Sequence, residues 1–134
     1  MANCLLVPLL SAGENSMPID RIFASLDHFK PSDDEPVRSV VTTSSDAVVV
    51  AWYVKPGQSI KPHRHPNGQD TWTILSGEGD YILNEYGSEA KVRAGDVVVA
   101  HTDEVHGLHN RSADPIYFIS VVSPAEAGYE LLND

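Results

Sequence analysis

From Val37 onward the chain is a succession of short β-branched and aromatic runs, "VRSVVTT", "AVVVAWYV", "TWTILSG", "DYILNEYG", "AKVRAGDVVVAH" and "PIYFISVV", separated by Gly, Pro, Asn and Asp. Regular short strands with turn residues between them predict an all-β sandwich or barrel. No long helical pattern interrupts them, which excludes a parallel βαβ sheet. At 134 residues there is room for one domain with its own core. The expected organisation is an N-terminal arm or loop over 1–36, a barrel over 37–123 and an acidic tail over 124–134. The tail is expected to form one ragged turn or none. Within the arm, Ile19, Ile22, Phe23 and Leu26 follow a helical period, which predicts a short helix over 18–29. A strand or a partner-contacting arm is the alternative.

Charge and composition remove several classes of partner. The formal net charge of -10, with nine scattered Lys and Arg, argues against nucleic acid and for a small or metal-bound ligand. The longest apolar run, 47–54, falls far short of the roughly 20 residues that span a bilayer, so no membrane association is expected. The opening "MANCLLVPLLSAG" has no Lys or Arg before Arg21 and is broken by Pro8, which speaks against a secretory signal. Cys4, the single cysteine, has no partner for an internal disulfide, compatible with a reducing cytoplasm.

The chemistry concentrates in "KPHRHPNGQD", residues 61–70. Alternate strand residues face the same side, so His63 and His65 point together with Cα atoms about 6.6 Å apart, a spacing that lets two imidazoles hold one ion. Pro62 and Pro66 bracket the pair and place it at a rim. In the following strand Asp70, Trp72 and Ile74 share one face. If Trp72 and Ile74 point inward, Asp70 does too, and a buried carboxylate calls for a cation or a hydrogen-bonded partner. Gln69 is the alternative ligand, and Asp70 is preferred on parity. Trp72 is the expected pocket wall.

The stretch 57–77, "GQSIKPHRHPNGQDTWTILSG", resembles the first motif of the cupin superfamily, with Asp70 where that family usually has Glu; 95–110, "GDVVVAHTDEVHGLHN", resembles the second. The resemblance runs over about residues 46–122 and implies a double-stranded β-helix of six to eight strands. It also implies one divalent transition metal, Fe, Mn, Ni, Zn or Cu, held by His63, His65, Asp70 and His106, and a homodimer. His101 stands in the usual Pro position and Asp103 in the usual Gly position. Asp tolerates left-handed backbone, so the second change is mild. His101 is a candidate proton-transfer group or metal-site neighbour, against the plainer reading of a solvated turn histidine. His109 and His28 read as surface residues, and Arg93 as exposed.

Three functions remain open on the sequence. The first is a metal-dependent enzyme, of dioxygenase or isomerase type, acting on a small oxygenated molecule. The second is a noncatalytic small-molecule-binding or sensor module. The third is a metal-free barrel in which the histidines and Asp70 form a hydrogen-bonded cluster.

Overall fold

The computed structural model describes residues 20–132. The opening stretch with Cys4 and Pro8, and Ile19 of the expected helix, lie outside the described residues. Ten strands follow in chain order: β1 (Ser39–Thr43), β2 (Val48–Val54), β3 (Ser59–Arg64), β4 (Gln69–Ser76), β5 (Glu78–Ile82), β6 (Glu89–Arg93), β7 (Val97–Ala100), β8 (His106–His109), β9 (Ile116–Ser123) and β10 (Glu130–Leu131). They form two five-stranded sheets, β1-β2-β9-β4-β7 and β10-β3-β8-β5-β6, with every pair antiparallel. Apart from the β1–β2 and β5–β6 pairs, strands adjacent in sequence lie in opposite sheets, so the two layers wrap one core as a double-stranded β-helix.

Alternation decides what enters that core. Along β9, Ile116, Phe118, Ser120 and Val122 are buried, and along β4, Asp70, Trp72 and Ile74 are buried while Gln69, Thr73 and Leu75 face solvent. A register slip of one residue would invert both sets, so the packed face fixes the pairing. The centre is aromatic: Trp72 stacks on Phe118 at 4.1 Å between ring centroids and meets Tyr81 edge-on at 5.1 Å. Val54, Ile74, Leu108 and Ile116 close the far end.

Turns split the longest predicted run. "AKVRAGDVVVAH" becomes β6 and β7 because Ala94, Gly95 and Asp96 form a tight reversal in which Gly95 has φ +96°. The "NEYG" end of "DYILNEYG" is likewise a turn, where the Asn84 side chain accepts from the N–H groups of Tyr86 and Ser88.

The expected helix over 18–29 is corrected. Its described part holds a single 3-10 turn, Ser25–Asp27, without a side-chain N-cap. Ile22 and Leu26 are 73% and 71% exposed. A helix this short needs its apolar stripe buried against a neighbour, and Ile22 and Leu26 are not buried by any among the described residues. The segment is an arm that runs along the barrel. Gln58 Nε2 donates to the carbonyls of Ser32 and Asp34, and Lys55 pairs with Asp33. The tail also departs from a ragged turn: β10 adds to the edge of β3, matching Glu130 to Arg64 and Leu131 to His63.

Candidate metal centre

Four side chains from three strands and one strand end meet at the mouth of the barrel. His63 lies on β3, His65 just beyond it, Asp70 on β4 and His106 at the start of β8, opposite His63 in the register. Each offers a ligand atom, and these atoms lie within 4.8 Å of one another. Asp70 is 4% exposed and His106 1%. The structure thus brings together His63, His65, Asp70 and His106, a group able to hold a metal ion.

Each ring is oriented by the backbone. Nδ1 of His63 donates to the Lys61 carbonyl (2.8 Å), Nδ1 of His65 to the Gly128 carbonyl (2.8 Å) and Nδ1 of His106 to the Glu104 carbonyl (3.0 Å). A carbonyl can only accept, so Nδ1 carries the proton and a neutral ring presents the Nε2 lone pair to the centre. Asp70 is held from the other side, where Ser120 Oγ donates to its Oδ1 at 2.5 Å. Its Oδ2 lies 3.0 Å from His106 Nε2 and 3.4 Å from His65 Nε2.

Electrostatics separate the histidines. Burial, helped by His106, pushes His63 down to about 4, so its ring is neutral at physiological pH. For His65 burial is the largest influence and lowers the pKa. The carboxylate of Asp70 and the Gly128 carbonyl outweigh it, and the net direction is upward. Burial would raise Asp70, yet the close approach of His106 and His65 and the hydrogen bond from Ser120 prevail and hold the carboxyl below its usual range. Tyr81, nearby, is raised by burial and by the Asp70 charge, and stays a phenol.

His65 provides the test of fit for a metal. Its Nε2 is buried and makes no hydrogen bond with any protein group, since the 3.4 Å approach to Asp70 is not aligned as one. A buried lone pair without a donor is costly, and a divalent cation among three imidazoles and a carboxylate resolves it. The second contacts of the ligands, three carbonyls and one hydroxyl, are of the kind that orient and tune metal-binding residues.

The cluster opens into a cavity of about 580 Å³ between the sheets. Trp72 lines it, along with Trp52, Ile60 and Val122, while Arg38 and Tyr129 also contribute to the wall. The Tyr129 ring lies 5.1 Å from that of His63.

Other sequence candidates fall elsewhere. Gln69 is exposed, with its amide toward Thr71, because its parity is opposite to that of Asp70. His101 is exposed and is not part of the cavity wall. It follows the inward-facing Ala100, and its N–H is held by the Glu104 carboxylate at 2.8 Å, which closes the turn. Asp103 takes φ +69°, as its stand-in for Gly requires. Asn110 of the second motif lies away from the metal group: its amide donates to the carbonyls of Val54 and Asp114 and clamps a loop. His109 bonds Ser59 Oγ through Nδ1 on a partly exposed face. Sequence reasoning missed Ser120, which inward parity on β9 would have flagged as a polar residue among apolar ones. It also missed Gly128, Tyr129 and Arg38, for which no local signal exists.

Comparison with known proteins agrees with this architecture. A family profile described as the Cupin domain matches residues 50–122. An uncharacterized conserved protein with a double-stranded beta-helix domain from Klebsiella pneumoniae is 45% identical, covering 85% of this chain and 98% of its own, with a TM-score of 0.81. A predicted oxalate decarboxylase from Thermotoga maritima shares the fold at 21% identity, covering 77% of this chain and 98% of its own, with a TM-score of 0.65. Among curated proteins, an oxalate-binding protein from Thermotoga maritima is 30% identical over 67 residues, half of this chain. The match spans 54% of that relative, about half its length. With its central region matched over more than half the sequence and its two sheets wound as a double-stranded β-helix, the chain belongs to the cupin family.

Proposed function

We propose that this cupin is a metal-dependent protein acting on a small oxygenated molecule in the barrel mouth, most simply as an enzyme of dioxygenase or isomerase type. The observation that carries the reading is the common orientation: three rings fixed through Nδ1, with His106 and His65 Nε2 at 3.0 and 3.4 Å from one Asp70 oxygen and His63 offering a ligand atom within 4.8 Å of the rest. His63, His65 and His106 through Nε2, and Asp70 through its carboxylate, would hold a divalent Fe, Mn, Ni or Zn ion. Such an ion supplies Lewis acidity, and if redox-active, electron transfer, to an oxygen-bearing ligand.

The protein's own contribution is arrangement. Ser120 fixes one Asp70 oxygen and leaves the other toward the histidines. Trp72, Phe118 and Tyr81 form an apolar floor that keeps water from the inner side of the group. Tyr81 is a proton donor rather than a phenolate at neutral pH, because burial raises its pKa. His101, exposed at the rim, would act in proton transfer only on a ligand that extends out of the cavity.

The name of the curated Thermotoga relative supports a second reading, a binding or sensor cupin in which the same group fixes a ligand without turnover. Elemental analysis of freshly purified, untagged protein beside the double variant His63→Ala/His65→Ala tests both. Near-stoichiometric metal in the wild type and its loss in the variant is the expected result. Affinity should fall as pH drops through the raised pKa of His65, above the ordinary value of ~6.5, while His63 competes with a proton only near about 4, since imidazoles bind metal only when neutral. Metal absent from both proteins after reconstitution would overturn the proposal and leave the metal-free cluster.

A further inference from the structure

The cavity is larger and more apolar than a metal site alone requires. Its volume, about 580 Å³, falls in the range that holds a drug-sized ligand and far exceeds that of a two-carbon dianion. Val48, Val50, Trp52, Ile60, Trp72 and Val122 give it aliphatic and aromatic walls. In a chain with 19 acidic and nine basic residues, the described wall carries one Lys or Arg residue, Arg38, immediately before β1.

Arg38 makes no ion pair and no side-chain hydrogen bond with any of the described residues. Lys55, Lys61, Lys91 and Arg111 each have carboxylate partners on the outer surface. Arg38 lines the cavity wall, and its charge lies close enough to His65, at the mouth, to oppose protonation of that ring. A guanidinium presents paired N–H donors in a plane, the geometry that a carboxylate accepts with both oxygens. Trp72 adds a second donor, since its buried Nε1–H has no acceptor among protein groups.

We propose that Arg38 is a specificity residue that binds the carboxylate of an anionic ligand with an apolar body, the body lying against Trp52 and Trp72. This deepens the metal-dependent reading by naming the ligand class: an organic acid with an aliphatic or aromatic skeleton, rather than a neutral molecule or a minimal diacid.

Both tryptophans of the chain line the cavity, so intrinsic fluorescence reports its occupancy directly. The test titrates hydrocinnamate, its neutral amide and oxalate into wild type, Arg38→Gln and Arg38→Lys, each as chelator-treated and as zinc-loaded protein. Wild type is expected to bind hydrocinnamate in preference to the amide. Arg38→Gln should weaken the acid by about ten- to a hundredfold while leaving the amide unchanged, with Arg38→Lys in between. Unaltered thermal midpoints would show that the exposed Arg38 is not needed for folding. Equal binding of acid and amide, no loss in Arg38→Gln, or no response to hydrocinnamate in either form overturns the proposal. A preference for oxalate that ignores Arg38 does the same. Arg38-dependent selectivity in a protein that takes up no metal would uphold the ligand class and sink the metal reading instead.

Discussion

The two ends of the barrel are built by the same strands and differ in what they place inside. β4 carries Asp70 at the mouth and Ile74 at the closed end; β8 begins with His106 and reaches Leu108; β9 runs from Ile116 and Phe118 to Ser120. All of these residues are buried on one parity. Alternation therefore determines which side chains face inward, and position along the strand determines whether they pack or do chemistry. The closed end derives its stability from apolar contact. The mouth gathers charges and lone pairs that are met by carbonyls and a hydroxyl, and that are placed to hold an ion.

That contrast can be broken from either end. Phe118→Ala removes the stacking partner of Trp72 and should cost about 3–5 kcal/mol, read by urea denaturation, while the folded fraction keeps its metal-binding residues. His63→Ala/His65→Ala should have a different signature. The metal-dependent gain in stability, about 2.7 kcal/mol at a metal concentration a hundredfold above Kd, should vanish, and the chelator-treated variant should melt close to chelator-treated wild type. Ser120→Ala sharpens the boundary, since it leaves all four ligands in place but frees one Asp70 oxygen. Metal affinity should drop about 10–100-fold in a competition titration.

The outer surface gives the smallest effects. Asp80, half-buried, is held below its usual pKa by Lys91 and Arg111, and the exposed Glu89 by Arg111. Carboxyls depressed in the folded state stabilise it above their unfolded values, and that contribution fades as pH falls through and below about 4. Arg111→Gln should lower stability slightly at neutral pH, where these pairs are intact, and leave it unchanged well below pH 4, so the acid side of the stability curve flattens. Gln69→Ala, on the outward parity, should shift neither metal affinity nor stability by more than about 0.5 kcal/mol.

Inward parity was readable wherever a strand was long and alternating. That is why Asp70 and Trp72 could be assigned to the interior, and why Gln69 could be ranked behind Asp70. The paired motifs pointed to His106 although its strand, "HGLH", is too short to announce itself. Three features were hidden for physical reasons. The period of Ile22, Phe23 and Leu26 is helical, but nothing in the described residues buries that face. Arg38 and Tyr129 lie at a strand start and in the tail, and reach the mouth only through the winding of the sheets. The acceptor for His65 is a backbone carbonyl, which any residue carries and no sequence pattern marks.

Gly68 shows how tightly the tail is seated. A methyl group there would come within 2.5 Å of the Ala127 side chain and 2.6 Å of the Ser123 carbonyl, so the turn between His65 and Asp70 and the segment after β9 are fitted to each other. The order of synthesis gains meaning from this. His63, His65, Asp70 and His106 are all polymerised before Gly128 is added, yet His65 acquires the carbonyl that sets its tautomer only when that residue arrives. The chain thus contains all four residues of the group before it can orient them, and completion of the candidate site waits until the tail has docked.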